Sequence, residues 1–302
     1  MRVAVIGGGM AGLSCARALQ NRGVLVTVYD KGRTPGGRIA TRVAGPYTFD
    51  HGTPWFDEPH GLPVERWLAG WVGVPSMADI PRAIAVPDVR SGRHVAFFAF
   101  GSGGWNIRHL EARGTPPGLI IDEGGIVDGP YDGLVLAIPS PQAAPLLSAC
   151  DYEAVAADVR HATMTPCWTV MAGWEQPGHP NFAPPPGPIG QWAIDSARPG
   201  RAPAPLCITA HATTAWSVEH LYDAPAAVQT TLAAAVMTMT GCDAAPDFAA
   251  VQRWRYARTE TPLGRPCLDA GRGLVVCGDW CLGPDVGDAI ASGQAAAAAI
   301  MA

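Results

Sequence analysis

Residues 2–30 (RVAVIGGGMAGLSCARALQNRGVLVTVYD) constrain the fold more than any other stretch. An apolar β-type run over 2–6 is followed by Gly7, Gly9 and Gly12 in the G-x-G-x-x-G spacing. Ala11, Cys15, Ala18 and Leu19 then recur at helical period, and a second β-type run over 25–29 ends at Asp30. In such a unit the first glycine permits a tight turn and the second lets a pyrophosphate approach the backbone. The third lets helix and strand pack closely. The helix start offers free N–H groups and a positive dipole end to phosphates, and Asp30 stands where a carboxylate can bind a ribose diol. Glycines in this spacing alone make only a Gly-rich turn. Strand, glycines, helix, strand and acid in register specify an adenine-dinucleotide site.

The rest of the composition suits a soluble enzyme. With 302 residues, 48% hydrophobic and 16% charged, the chain can bury a large core and is neither a disordered tail nor a coiled coil. A net charge of −5 argues against nucleic acid or an anionic membrane as partner. The chain opens directly on a β-type run, so no signal peptide is expected, and no apolar run reaches the length of a membrane span. Eight cysteines are scattered without a C-x-x-C pair or a His cluster, so no metal site is expected. They read as buried thiols in a reducing cytosol, which makes a cytoplasmic location the expectation.

After Asp30 comes KGRTPGGRIATR, in which Gly36 and Gly37 precede Arg38 and Arg42. A guanidinium beside glycine N–H groups suits a pyrophosphate, and a solvated basic loop is the plainer alternative. The stretch DKGRTPGGR resembles the second fingerprint of the glutathione-reductase-type, amine-oxidase-like flavoproteins. FDHGTPWF (49–56) resembles their renalase-like branch, and so in order do PCWTVMAGW, IDSARPGR, AWSVEHL and QRWRYA. The resemblance covers nearly the whole chain. It implies an α/β architecture: a Rossmann-like (glutathione-reductase-type) FAD domain with a second α+β substrate domain built on an antiparallel sheet. The FAD domain is expected over 1–48, 94–150 and 264–302, and the substrate domain over 49–93 and 151–263.

Local patterns fill in the elements. Residues 61–74 read as an amphipathic helix with Val64, Trp67, Leu68, Trp71 and Val72 on one stripe, and 75–92 as a proline-broken connector. A β run over 95–100 is followed by GSGGWNIRHLEARG (101–114), expected to turn into a helix. Buried strands are expected at 119–121 and 134–138, the latter leading into AIPSPQAAPLL. Relatives place a small β-meander between them, and this chain is expected to keep only 122–132 in its place. Segments 163–174, 189–195, 206–212 and 251–256 have strand character, suggesting an antiparallel sheet. Residues 226–240 read as a helix with Val228, Leu232, Val236 and Met239 on one face. The proline-rich 177–188 is extended, either an exposed connection or a flap. Residues 273–280 read as a strand ending in Gly278-Asp279, before a helix of small residues.

The resemblance implies non-covalent FAD, held by Gly7, Gly9, Met10, Ala11, Gly12, Asp30, Lys31, Gly37, Arg38, Gly52, Gly278, Asp279, Gly287, Asp288 and Ala289. Asp30 would meet the adenosine ribose and Asp279 the flavin-side linker. The last helix would point its start at the flavin N1–C2=O edge. Relatives show Glu-Gly-Ala where this chain has Gly287-Asp288-Ala289, and Asp288 could face the ring or turn away. His51 is the candidate acid/base, or a hydrogen-bonded structural histidine. Trp55, Trp254, Tyr256 and Trp280 could wall a flat pocket or belong to the core, and relatives have Gln-Tyr at Pro54-Trp55. The implied reaction moves a hydride from a small dihydropyridine-like donor, a misreduced 2- or 6-dihydro-NAD(P) isomer, to flavin N5, with O2 reoxidising the flavin to give H2O2. Oxidation of a small amine, or a desaturation, is the second expectation. A non-catalytic nucleotide-binding scaffold is the third, supported by the shortened 122–132.

Overall fold

The computed structural model describes residues 1–68, 70–111, 125–178, 180–185 and 187–302. In chain order its elements are β1 (Arg2–Ile6), α1 (Met10–Gln20), β2 (Leu25–Asp30), β3 (Arg42–Ala44), β4 (Tyr47–Phe49), β5 (Val64–Trp67), β6 (Gly70–Gly73), α2 (Asp79–Ile84), β7 (Val89–Ser91), β8 (Arg93–Gly101), β9 (Gly104–Glu111), β10 (Ile126–Tyr131) and β11 (Gly133–Leu136). Then follow α3 (Ser140–Ala149), α4 (Glu153–Val159), β12 (Thr163–Trp174), β13 (Ile189–Ile194), β14 (Leu206–Ala212), α5 (Thr214–Glu219), α6 (Pro225–Thr240), β15 (Phe248–Thr261), β16 (Leu268–Asp269), β17 (Leu274–Val276) and α7 (Val286–Ile300). They divide into two compact units. The first is Met1–Gly37, Pro81–Met164 and Thr259–Ala302; the second is Arg38–Ile80 and Thr165–Arg258. Among the described residues no helix is long and apolar enough to cross a membrane.

The first unit is built on a six-stranded sheet in the order β16-β17-β11-β1-β2-β7. All neighbours are parallel except β16 on β17. Strand β11 is buried throughout and β1 nearly so, as expected of parallel strands covered on both faces. Helices α1 and α7 pack at backbone distance: a Cβ on Gly293 would overlap the Ala11 carbonyl. The small residues of α7 thus serve helix packing.

Three expectations fail in this unit. Residues 104–111 form strand β9, in which buried Trp105, Ile107 and His109 alternate with half-buried Asn106, Arg108 and Leu110. That is a period of two, and β-pairing on both sides fixes it. Strands β8, β9 and β10 make a three-stranded antiparallel sheet, so a meander is present after all. Its first two strands come from the segment ahead of 122–132. Residues 75–92 are more than a connector, since they contain α2 and β7. The strand expected at 119–121 lies outside the described residues.

The second unit is built on a four-stranded sheet in the order β13-β14-β12-β15, with β14 antiparallel to both neighbours. On one face Trp168, Val170, Ala172, Ile208 and Ala210 pack against Val228, Leu232, Val236 and Met239 of α6, the helix stripe expected from the sequence. On the other, Met171 and Cys207 meet a stack of Tyr47, Phe49 and Phe248. Residues 64–67 and 70–73 form the antiparallel pair β5–β6 where a helix is expected. Apolar spacing there fits either form, and the glycines decide. A Cβ on Gly70 would lie 2.6 Å from Trp55 Cδ1, and Leu68 turns the chain at a positive φ of 51°. The proline-rich segment is an exposed connection tied to the end of α6, with Asn181 and Ala183 N–H donating to the Thr240 and Met239 carbonyls.

Candidate functional site

In the first unit the expected cofactor residues gather where β1 and β2 end, the edge at which open parallel sheets bind ligands. Gly7 has a φ of 108°, and a Cβ there would strike the Ala137 backbone. A Cβ on Gly12 would overlap the Gly7 carbonyl oxygen. Gly9 differs: a Cβ there meets nothing within 4 Å. It caps α1 without a side-chain bond, and no acid stands in the first turn of α1. Gly7 and Gly12 are therefore glycines for packing, whereas Gly9 fronts open space at an uncapped, acid-free helix start. Met10, Ala11 and Gly12 supply the first-turn backbone.

Asp30 does something the sequence did not reveal. Its Oδ2 accepts from Gly8 N–H and its Oδ1 from Gly32 N–H. Gly36 N–H bonds the Gly8 carbonyl at 2.8 Å. The carboxylate thus orders the glycine turn and the 32–37 loop together. Burial raises its pKa, against the pull of both backbone bonds and the Lys31 charge. Lys31 and Gly37 are exposed.

The C-terminal pieces of the same unit are also ordered internally. Gly278 N–H donates to Ser292 Oγ at 3.0 Å. A Cβ on Gly278 would collide with the Trp280 ring, whose Nε1 donates to Ile138 O. Trp280 is wholly buried core. Asp279 is buried and accepts from Thr259 Oγ1 at 2.9 Å. At the start of α7, Asp285 and Asp288 form a reciprocal capping box, with Asp285 N–H donating to Asp288 Oδ2 at 3.0 Å. Asp288 is turned onto its own helix start, where an acid is favourable. Gly287 and Ala289 flank it in the first turn of α7.

In the second unit the His51–Pro54 segment is held from every side. Trp254 Nε1 donates to His51 O (3.0 Å), His211 Nε2 to Gly52 O (2.9 Å) and Arg198 Nη1 to Pro54 O (2.7 Å). Thr53 N–H donates to Arg38 O (2.8 Å), and a Cβ on Gly52 would overlap that same carbonyl. Arg38 Nη1 reaches Ala257 O at 3.1 Å. Beneath the segment Asp50, Asp195, Arg198 and Arg201 form a buried quartet. Arg198 Nε lies 2.7 Å from Asp195, and Arg201 Nη2 lies 2.6 Å from Asp50. Two carboxylates facing two guanidiniums cancel in charge, which is what makes their burial tolerable. The Arg198 guanidinium also lies 4.6 Å from the Trp67 ring centre.

The His51 ring stacks on Trp254 (5.5 Å, 26°). Burial lowers its pKa and the Arg42 charge adds to this, against Phe49 and Asp50. His211 is lowered further, to about 4, by burial above all. Both imidazoles are therefore neutral near pH 7. Trp55 packs on Gly70. Tyr256 is half-buried two residues beyond Trp254 and so on its face of β15. His211, Asp195, Arg198 and Arg201 were not singled out from the sequence. The ties from Arg198, Arg201 and His211 to the 50–54 segment span 144 to 159 residues, and IDSARPGR carries only Asp195, Arg198 and Arg201.

The NAD(P)-binding Rossmann-like domain family matches residues 5–70. Solved structures are similar over the whole chain. A candidate protoporphyrinogen oxidase from Exiguobacterium sp. 255-15 shares 13% identity at a TM-score of 0.69, over 99% of this chain and 98% of that one. Putrescine oxidase bound to putrescine shares 12% at 0.65, over 100% and 99%. Cyclohexylamine oxidase from Brevibacterium oxydans IH-35A shares 12% at 0.65, over 99% and 98%. The chain shares their fold. The mixed α/β design expected from the sequence, a Rossmann-like domain with a parallel sheet, is the one observed. Among the described residues no group of His, Cys, Asp or Glu could hold a metal.

Proposed function

We propose that this chain is an FAD-dependent oxidase of the renalase-like type, acting on a small dihydropyridine-like donor such as a 2- or 6-dihydro-NAD(P) isomer. The observation that carries the cofactor is the start of α1, uncapped, free of acids and fronted by Gly9, whose outer side is open. A diphosphate fits there by charge and by space. Gly7 to Gly12, Lys31, Gly37 and Arg38 would hold the diphosphate, Asp30 the adenosine ribose, and Asp279 the flavin-side linker. The first-turn backbone of Gly287 and Ala289 would complete the contacts, while Asp288 stays on its own helix start. The binding would be non-covalent.

FAD, when bound, supplies a hydride acceptor at N5 and a route for electrons to O2, giving H2O2. The protein's own part is to position the donor's C–H and to keep charge away from it. His51 and His211 are held neutral, and Asp50 and Asp195 are each paired with arginine. That environment suits a neutral ring better than an ammonium ion. Trp55, Trp254 and Tyr256 would face the ring, with His51 as the available acid/base. Oxidation of a small amine is the second reading, favoured by the likeness to putrescine and cyclohexylamine oxidases. The eight cysteines are all free thiols, as a reducing cytosol would keep them. The presence of β8–β9–β10 removes the support for a non-catalytic scaffold. The test is a visible spectrum of the purified protein, followed by acid precipitation. Yellow FAD in the supernatant is the expected result, and a colourless protein that ignores added FAD refutes the proposal.

A further inference from the structure

Among the described residues five buried polar atoms of the second unit have no hydrogen-bond partner, and three of these are His211 Nδ1, Thr169 Oγ1 and His51 Nδ1. They are neighbours in the fold. Thr169 on β12 and Gln191 on β13 both stand directly opposite His211 on β14, so the three side chains form a row on one face of the sheet. The apolar contacts with α6 use the other face. Exposure falls along the row, from exposed Gln191 on the edge strand, through half-buried His211, to fully buried Thr169. His51 adjoins it because His211 bonds the carbonyl of the next residue, Gly52.

The hydrogen-bonding character of His211 follows from that bond. A carbonyl oxygen can only accept, so Nε2 carries the proton. In a neutral ring Nδ1 is then a bare lone pair, an acceptor awaiting a donor. Buried polar atoms without partners are uncommon, and three from one neighbourhood mark a place built for a polar group that is not part of the chain. The Thr169 hydroxyl, which also faces the Cys167 thiol, can donate or accept and so completes the pair.

We propose that the Gln191–His211–Thr169 row is a substrate subsite that takes an N–H or O–H donor of a small neutral molecule, such as a carboxamide, on His211 Nδ1. Thr169 Oγ1 and His51 Nδ1 flank the bound group. A carboxylate would set lone pair against lone pair and is refused. The assignment rests on the oxidase reading only in calling the bound molecule a substrate. An ordered water is the other source of the same chemistry.

Two substitutions separate binding from architecture. His211→Gln keeps an N–H donor within reach of Gly52 O and removes the Nδ1 acceptor. His211→Asn keeps an acceptor near the Nδ1 position and gives up the Gly52 bond. The protein as purified, with 15N-labelled histidine, is titrated by NMR with nicotinamide, and with nicotinate as the carboxylate control. Nicotinamide should move the His211 Nδ1 signal upfield, and nicotinate should not. The nicotinamide Kd should weaken roughly tenfold in His211→Gln, with flavin content and unfolding midpoint at pH 7.5 unchanged. His211→Asn should retain the affinity while melting lower. The proposal is overturned if nicotinamide leaves the signal in place or binds His211→Gln as well as the parent. Crystals that show only water on Nδ1, with and without nicotinamide, overturn it too. A protein without FAD would sink the oxidase reading while leaving this titration fully decisive for the subsite.

Discussion

Gly9→Ala separates the two jobs glycine performs in the first turn. The backbone at Gly9 (φ −76°, ψ −179°) is open to any residue, and an added Cβ meets no atom within 4 Å. Removing a glycine stabilises by roughly 0.4–1 kcal/mol through the unfolded chain. Alanine caps a helix worse than glycine does, by a similar amount. The apoprotein should therefore keep its stability within about 0.5 kcal/mol. The new methyl group occupies the approach of the diphosphate, and losing one charge-assisted bond costs about 1.5–3 kcal/mol, roughly 10- to 150-fold in affinity. Gly12→Ala is the converse. Its Cβ would overlap the Gly7 carbonyl and stand 3.3 Å from the Ala137 Cβ, so the apoprotein itself should lose about 1–3 kcal/mol. Urea unfolding of the apoproteins and titration of FAD by fluorescence quenching measure both effects. If Gly9→Ala binds FAD within threefold of the parent, the diphosphate does not lie over Gly9 and the cradle is misassigned.

Arg201→Met leaves Asp50 buried with half its compensation gone and should cost about 3–5 kcal/mol in urea unfolding, much of it recovered in Asp50→Asn/Arg201→Met. Asp288→Ala should lower the thermal midpoint through loss of a cap, about 0.5–2 kcal/mol, with FAD affinity unchanged because Asp288 serves Asp285 N–H; a large loss of affinity would mean it faces the flavin. His211 has its folded pKa depressed to about 4, against about 6.5 unfolded, so the unfolded state binds the extra proton between these values. Its contribution is complete above pH 6.5 and is lost as pH falls toward 4, about 3 kcal/mol over the window. His211→Gln should flatten that part of the stability profile, and an unchanged profile would show that His211 is not buried neutral.

What the sequence disclosed and what it hid divide by range. The first strand, turn and helix were legible because Gly7, Gly9 and Gly12 act within a dozen residues. The α6 stripe of Val228, Leu232, Val236 and Met239 was legible for the same reason. The pair β5–β6 departs from the expected helix because Trp67, Leu68, Trp71 and Val72 satisfy a helical period equally well, and what forbids the helix is the seating of Gly70 on Trp55. Strand β9 departs from the expected helix although Trp105, Ile107 and His109 alternate plainly, and what decides it is pairing with β8 and β10. Within the quartet Asp195 and Arg198 are local neighbours, but the ties from Arg201 to Asp50 and from His211 to Gly52 span 151 and 159 residues and leave no local period. Asp30 was found by its place at a strand end, but its bonds to Gly8 and Gly32 depend on how the loop folds back.

The central claim is tested by mixing the oxidised holoenzyme anaerobically with 2- or 6-dihydro-NAD(P) in a stopped-flow instrument and following flavin absorbance. The account predicts that these isomers bleach the flavin much faster than ordinary NADH, and that admitting O2 restores the colour with formation of H2O2. Bleaching no faster than with NADH would contradict it.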